Sequence, residues 1–200
     1  MKKKNIKNKW ADSLTLKAKK ENYPARSVYK LKEIQAKFNV IKKGDFVMDL
    51  GCSPGSWLLY ASQCTGNKGK VFGIDLKKID IKLPGNTSAF VGDMLDFSSL
   101  QSKDIADQQF NVVLSDMAPA TTGRKDVDSA RSFELCEKAL SFAAKSLGPH
   151  GNFVCKIFQG SEFKAFEKKV KVKFKITKIF KPTSCRKASK EIYIIGKNRK

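Results

Sequence analysis

Apolar residues fall in short blocks along most of the chain, and the period of the blocks changes in a regular way. Val28, Leu31, Ile34 and Phe38 recur at helical spacing after Pro24, which predicts an amphipathic helix over Ala25 to Phe38. Phe46 to Leu50 is a short, nearly continuous apolar run, the mark of a strand buried on both faces. Ser56 to Cys64 then reads as a helix and Lys70 to Ile74 as a strand. Further strands are expected at Ser88 to Val91, Phe110 to Ser115 and Gly151 to Ile157, with closing strands at Phe174 to Phe180 and Glu191 to Ile195. Ser129 to Ser146 should be a long helix with Ala130, Phe133, Ala139, Leu140 and Ala143 on its apolar side, and Ser161 to Val170 a shorter one. The polar stretches Ser98 to Gln109 and Thr121 to Asp128 read as connections. Strands and helices alternate, so the expected class is α/β: a largely parallel sheet with helices on both faces.

The chain of 200 residues can bury one well-formed core without disulfides or metals, so a single domain over residues 1–200 is expected. Lys2 to Lys20 carries little periodic apolar pattern and reads as a basic arm, about residues 1–22, partly flexible when unbound. No run approaches the roughly 18 apolar residues of a membrane span, and the lysine-rich start lacks the apolar stretch of a secretory signal. A cytoplasmic monomer is the expectation. Cys52, Cys64, Cys136, Cys155 and Cys185 are scattered without a CxxC pair, and His150 in the turn-like string GPHG is the single histidine. Neither a disulfide framework nor a metal site is therefore expected.

Charge changes the picture more than composition does. The formal net charge is +21, and a surplus of that size normally meets a polyanion. A general lysine bias would spread the charge evenly, but it is concentrated. The first twenty residues hold eight lysines against Asp12, and Lys164 to Lys181 holds eight more against Glu167, while the middle is nearly balanced. Two basic ends flanking a near-neutral core favour a nucleic-acid surface. The aromatics in the second stretch, Phe163, Phe166, Phe174 and Phe180, fit core positions better than stacking platforms.

The first strand ends in DLGCSPGSW, Asp49 to Trp57, a glycine and proline turn leading into a helix. This is the start of a Rossmann-like nucleotide site, where Gly51, Pro54 and Gly55 would line the ligand and the glycines would let backbone approach it. The spacing is neither GxGxxG nor GxxxxGK[ST], so a dinucleotide and a nucleoside triphosphate are both disfavoured. Asp75, ending the second strand, suits ribose hydroxyls. Asp93, after the third strand, suits the exocyclic amine of an adenine. Strand-end aspartates are also common turn formers and helix caps. Together they imply a nucleoside ligand without a pyrophosphate.

The strings RSVYKL, DLGCSPGSW, GIDL, LSDMAP and FVCKIF, with Glu191 in KEIYII, resemble the FtsJ-like ribose 2′-O-methyltransferases, in particular the bacterial type that acts on large-subunit (23S) ribosomal RNA. The resemblance runs from about Trp10 to the C-terminus. It implies a Rossmann-like fold with a seven-stranded sheet whose last strand is antiparallel, S-adenosylmethionine as cofactor, and a uridine ribose within the large ribosomal subunit as target. It also implies that Gly55, Trp57, Asp75, Asp93 and Asp116 contact the cofactor. Finally, it assigns a catalytic tetrad to Lys30, Asp116, Lys156 and Glu191.

Topology supports the tetrad. Asp116 ends the fourth strand and Lys156 lies near the end of the fifth, at the carboxyl edge where α/β sheets bind ligands. Glu191 begins the final strand, which shares that edge if it runs antiparallel, and Lys30 must reach over from the preceding helix. Lys156 interrupts the apolar run FVCKIF, where an exposed residue is not expected. By themselves, Lys30 also fits the polar face of its helix, Glu191 a surface pair with Lys190 or Arg186, and Trp57 the core. Two roles for Lys156 stay open: a neutral base that takes the hydroxyl proton, or a cation that orients the hydroxyl.

Other chemistries fit less well. Base amino-group methylation uses [ND]PP[YF] where this chain has DMAP. A thiolate mechanism through Cys155 conflicts with strand alternation, which sends Cys155 and Lys156 to opposite faces. A transfer RNA or messenger cap substrate, and a non-catalytic RNA-binding assembly factor, are the remaining alternatives.

Overall fold

The computed structural model describes residues 12–93, 108–186 and 188–200. Its strands are β1 (Phe46–Leu50), β2 (Lys70–Asp75), β3 (Thr87–Val91), β4 (Phe110–Ser115), β5 (Leu147–Phe158), β6 (Phe174–Phe180) and β7 (Glu191–Arg199). They form one seven-stranded sheet in the order β3-β2-β1-β4-β5-β7-β6. β1 to β5 pair in parallel, whereas β7 runs antiparallel to both β5 and β6. The α/β sheet expected from the alternating blocks, with its antiparallel last strand, is thus the one observed.

Successive residues of the central strands point to opposite faces, and each face carries its own core. Met48, Val113, Cys155 and Ile194 pack under α4 (Lys125–Ser146) and α5 (Phe163–Lys173), against Leu140, Phe142 and Phe166. Val47, Val112, Val154 and Tyr193 pack under α2 (Val28–Phe38) and α3 (Ser56–Thr65), against Leu31, Ile34 and Leu58. Lys156, two residues after Val154, falls on the α2 side and pairs in register with Tyr193. Cys155 is buried on the other side, as alternation requires.

Helix α2 is buried through Val28, Tyr29, Leu31 and Ile34, close to the stripe read from the sequence. Its start is tied to the loop after β1. Ser56 Oγ donates to Ala25 O (3.0 Å) and accepts from Ala25 N (2.8 Å), and Trp57 Nε1 donates to Ser27 O (2.8 Å). Those three bonds set where Lys30 stands relative to the sheet.

Three expectations need correction. Part of the presumed flexible arm is helix α1 (Ser13–Lys20), capped by Asp12, with Ala18 packed on Tyr23, Val28 and Tyr29; the lysines before residue 12 lie outside the described residues. One small buried residue in the whole helix is too weak a stripe to read from sequence. Helix α4 begins at Lys125, not Ser129, because its first turn is exposed and Asp128 accepts from Thr122 N (2.7 Å) and Gly123 N (3.2 Å), folding the expected loop onto the helix. β5 begins at Leu147 and β7 continues to Arg199, beyond the apolar runs that marked them. The polar stretch from Ser98 falls mostly outside the described residues.

Phe166 and Phe174 are core residues, and Phe163 and Phe180 pack against the two cores at their margins. The lysines around them, such as Lys175 and Lys178 on β6, are exposed on the sheet's edge strand. Among the described residues no helix is long and apolar enough to cross a membrane.

Gly73 in β2 marks a close approach between strand and loop. A Cβ there would lie 2.7 Å from both Cys52 Sγ and Leu58 Cδ2, whereas one at Gly85 would meet nothing within 4 Å. Gly73→Ala should therefore destabilise the protein by about 1–3 kcal/mol in urea unfolding, while Gly85→Ala stays within about 0.5 kcal/mol of the parent. Equal effects of the two substitutions would refute the packing account.

Candidate active site

The crevice opens at the carboxyl ends of β1 and β4, where the strand order reverses direction. A cavity of about 700 Å³ lies there, lined by Gly51, Ser53, Pro54, Asp75, Asp93 and Asp116 among others. Gly51 and Gly55 have φ of 77° and 104°, a backbone region that side chains strongly disfavour. What approaches them is protein. A Cβ at Gly51 would collide with Met117, and one at Gly55 would lie 2.7 Å from Ile81 Cδ1. The positive φ and the crowding by Met117 and Ile81 thus each require glycine at these positions, and Gly51 also lines the cavity.

Asp75 holds this loop in place. Its carboxylate accepts Ser53 N–H (2.9 Å) and Lys77 N–H (2.8 Å), so it acts as a turn former and still lines the cavity with lone pairs to spare. Trp57 is only 3% exposed and does not line the large cavity. It lines a small inner cavity of about 40 Å³ together with Ser27, Asp49, Ser53 and Asp116.

The four residues of the expected tetrad converge. Lys156 Nζ is 3.0 Å from Asp116 Oδ1 and also donates to the Asp116 carbonyl. Lys30 Nζ donates to Glu191 Oε2 at 2.9 Å and lies 3.9 Å from Asp116 Oδ2. Asp116 directly follows β4, β5 supplies Lys156, the start of the antiparallel β7 supplies Glu191, and α2 reaches over with Lys30. The alternative of Glu191 as an edge-strand pair with Lys190 or Arg186 does not describe this geometry, since its ion-pair partner is Lys30.

Burial alone would raise the Asp116 carboxyl, but the Lys156 and Lys30 ammonium groups, with hydrogen bonds from Tyr193 and Lys156, outweigh it and hold the group below the ordinary carboxylate range. Burial pulls Lys30 down, and the charges of Asp116 and Glu191 more than reverse that, leaving it above its ordinary value. Cys155 is shielded from thiolate chemistry, because burial first, and the neighbouring Cys136 second, push its thiol well above the ordinary range.

Two residues were missed in the sequence. Tyr193 Oη donates to Asp116 Oδ1 at 2.6 Å, and its ring lies 6.0 Å from that of Trp57. The signal was there, since Tyr193 follows Glu191 by two positions on one strand and so shares its face. Asp49 is 1% exposed, and neither of its oxygens has a hydrogen-bond partner among the described residues. Burial, then the charges of Asp116 and Asp75, push it well above the ordinary carboxylate range. An acid interrupting the apolar strand FVMDL carries the same signal as Lys156 in FVCKIF.

A sequence profile of the FtsJ-like methyltransferases matches residues 23–199. A protein of Desulforapulum autotrophicum named ribosomal RNA large subunit methyltransferase E is 60% identical over 194 residues, which cover 97% of this chain and 95% of that protein. A protein of the same name from Desulfatibacillum aliphaticivorans is 50% identical, covering 99% of this chain and 95% of its own. A solved structure from Plasmodium falciparum, described as a ribosomal RNA methyltransferase, superposes with a TM-score of 0.78 at 29% identity, covering 88% of this chain and 98% of that one.

The orphaned Asp49 makes stability depend on pH in a defined direction. Its folded-state pKa lies above the unfolded one, so folding favours its protonated form. That contribution is complete below the unfolded value, near 3.9, and is lost as pH rises towards the folded value. Asp49→Asn should therefore gain stability relative to the parent as pH rises through this window, by up to about 1.4 kcal/mol per pH unit, in urea unfolding from about pH 4 upwards. Parallel pH profiles for the two proteins would contradict the assignment of Asp49 as a buried, unpaired acid.

Proposed function

This chain belongs to the FtsJ-like methyltransferase family, and we propose that it transfers a methyl group from S-adenosylmethionine to a ribose 2′-hydroxyl of large-subunit ribosomal RNA, at a uridine. The observation that carries the reading is the meeting of Lys30, Asp116, Lys156 and Glu191 at the edge of a nucleoside-sized cavity. The names of the relatives support ribosomal RNA over transfer RNA or a messenger cap.

The residues around the cavity fit S-adenosylmethionine. Asp75 retains acceptor capacity for ribose hydroxyls, and Asp93 lines the same cavity, where its carboxylate would suit an adenine amine. Asp49 offers two unsatisfied oxygens beside a space large enough for an ammonium group or one water. A buried carboxylate without a partner is expensive, and a cationic ligand would relieve that cost. When bound, S-adenosylmethionine supplies a methyl group on a positively charged sulfonium.

The remaining work belongs to the protein. Lys156, fixed between the carboxylate and the carbonyl of Asp116, would position the incoming hydroxyl oxygen, and such positioning removes much of the barrier. Its ion pair with Asp116 fixes where its nitrogen stands. The hydroxyl becomes acidic as its bond to carbon forms, and its proton leaves to water late in the step. Asp116 aims Lys156, and Tyr193 fixes the rotation of the Asp116 carboxylate. Lys30 and Glu191 close the ribose side of the site as a pair. The exposed lysines of α1 and β6, continued by the basic residues that follow β6, would grip phosphates with little sequence reading.

Radiolabelled methyl transfer to ribosomal particles from a methylation-deficient strain tests this, followed by digestion to nucleosides. The expected product is 2′-O-methyluridine in the large-subunit RNA, with Lys156→Ala lowering the rate by about 10²–10⁴-fold at unchanged cofactor affinity. Label on a base would assign the quartet to the wrong chemistry. Full transfer by Lys156→Ala would remove that residue from the mechanism. In a separate measurement, RNA affinity should fall by about 10³–10⁵ between 50 and 200 mM salt if roughly 6–10 phosphates are contacted. A flat response would remove the polyanion argument.

A further inference from the structure

Lys30 and Glu191 also line a second cavity, of about 310 Å³, which shares neither of its walls with the cofactor cavity. The charged quartet therefore stands between two spaces. Asp116 faces the first, and the Lys30 to Glu191 pair faces the second, whose other polar groups include Arg26, Ser27, Arg186 and Ser189.

Two of these groups are already committed. Arg26 pairs with Asp12 and donates to the Ser184 carbonyl. Ser189 Oγ accepts the Glu191 N–H at 3.2 Å. Ser27, at the start of α2, makes no side-chain capping bond. The Arg186 side chain is exposed and makes no hydrogen bond or ion pair with another described residue.

The loop that presents Arg186 is nevertheless held firmly. Glu33 of α2 accepts from Thr183 N (2.6 Å), Thr183 Oγ1 (2.9 Å) and Ser184 N (2.8 Å). Arg26 grips the Ser184 carbonyl, and Ser189 N donates to Arg186 O at 2.9 Å. An uncommitted guanidinium is thus carried on a clamped loop beside the quartet.

We propose that this cavity is a subsite for the backbone phosphate on the 3′ side of the reacting ribose, with Arg186 as its main ligand and Ser27 as a second donor. The inference rests on the 2′-O-methylation reading above. Carbon 2′ adjoins carbon 3′, so an internal 2′-hydroxyl always carries a phosphodiester on the neighbouring oxygen. Presenting that hydroxyl to the quartet brings an anion close to Glu191 and Asp116. Lys30 and Lys156 balance those two carboxylates and leave no positive charge over. The phosphate needs a further cation, and a planar guanidinium matches two of its oxygens at once.

The test titrates uridine, uridine 3′-monophosphate and uridine 5′-monophosphate into protein saturated with S-adenosylhomocysteine, read by amide ¹H–¹⁵N shifts. The 3′-monophosphate should bind about tenfold or more tightly than uridine, with shifts at Ser27 and along residues 184–191. Arg186→Ala should abolish that advantage while uridine affinity and melting temperature stay at the parent's values, and Arg186→Lys should restore part of it. Equal binding of the three ligands, a preference for the 5′-monophosphate, or a 3′ advantage that survives in Arg186→Ala would each overturn the subsite. Methyl transfer is scored separately on ribosomal particles. A parent protein that transfers nothing overturns the catalytic reading, while the titration still decides the phosphate site.

Discussion

A carboxylate at the closed end of a sheet is costly unless its charge is met there, and Asp116 is met from three sides. Lys156 comes from the neighbouring strand, Tyr193 from the strand beyond it, and Lys30 from a helix laid across the face. Removing one partner of such a group typically costs about 3–5 kcal/mol, because the charge left behind stays buried. The quartet is thus a constraint on the whole fold. β7 must run antiparallel for its first residue to arrive at the carboxyl edge, and it must pair in the register that sets Lys156 against Tyr193. Helix α2 must end its first turn over β4, and the hooks from Ser56 and Trp57 to Ala25 and Ser27 put it there. The loop that would hold the cofactor and the helix that carries a site lysine are in this way one mechanical unit.

Asp49 and Asp116 stand on adjacent strands and the same face, yet their environments drive them apart. Asp116 has two ammonium groups and stays ionised; Asp49 has no partner among the described residues and is pushed towards its neutral form. Paired acids separated in this way are a common mark of a working site. Here the division is between a group whose charge is always needed and one whose charge is favourable only when a cation arrives. Satisfying Asp49 within the protein would have made the fold more stable and the cavity less able to discriminate a positively charged ligand. The unsatisfied acid is better explained by binding than by folding.

The sheet was legible because its strands are short apolar blocks with clear turns between them. Asp116, Lys156 and Glu191 were legible because they sit at strand ends or break an apolar run, whereas Lys30, on the polar face of its helix, was found only through the family resemblance. What was not legible shares a physical cause. Helix α1 and the first turn of α4 are mostly exposed, so their periodicity is faint and they are stabilised by contacts distant in sequence or by a single capping carboxylate. Gly51 and Gly55 were read as ligand-facing, and the crowding by Met117 and Ile81 that also requires glycine there is placed by no local pattern. Asp49 and Tyr193 were overlooked although the rule that found Lys156 applies to both. A polar group inside a strand is informative whatever its type, and its value becomes clear only when the partner strand and register are known.

The charge of +21 sits oddly with a site whose own charges cancel, and the arrangement resolves the contrast. Lysines on an edge strand such as β6 keep the sheet from pairing with a second chain, so part of the surplus serves the fold. The rest lies on surfaces where a polyanion can be held by many weak contacts that ions in solution screen over roughly 8–10 Å. The quartet is largely shielded and paired, with Lys156 buried, and screening reaches it far less. Binding strength can therefore change with ionic strength while the geometry that holds hydroxyl, lysine and carboxylate does not. A catalytic group drawn from the exposed lysines would lose its position whenever the grip on the substrate loosened. By burying two cations against two anions, the fold keeps the positioning groups independent of the groups that bring the substrate in.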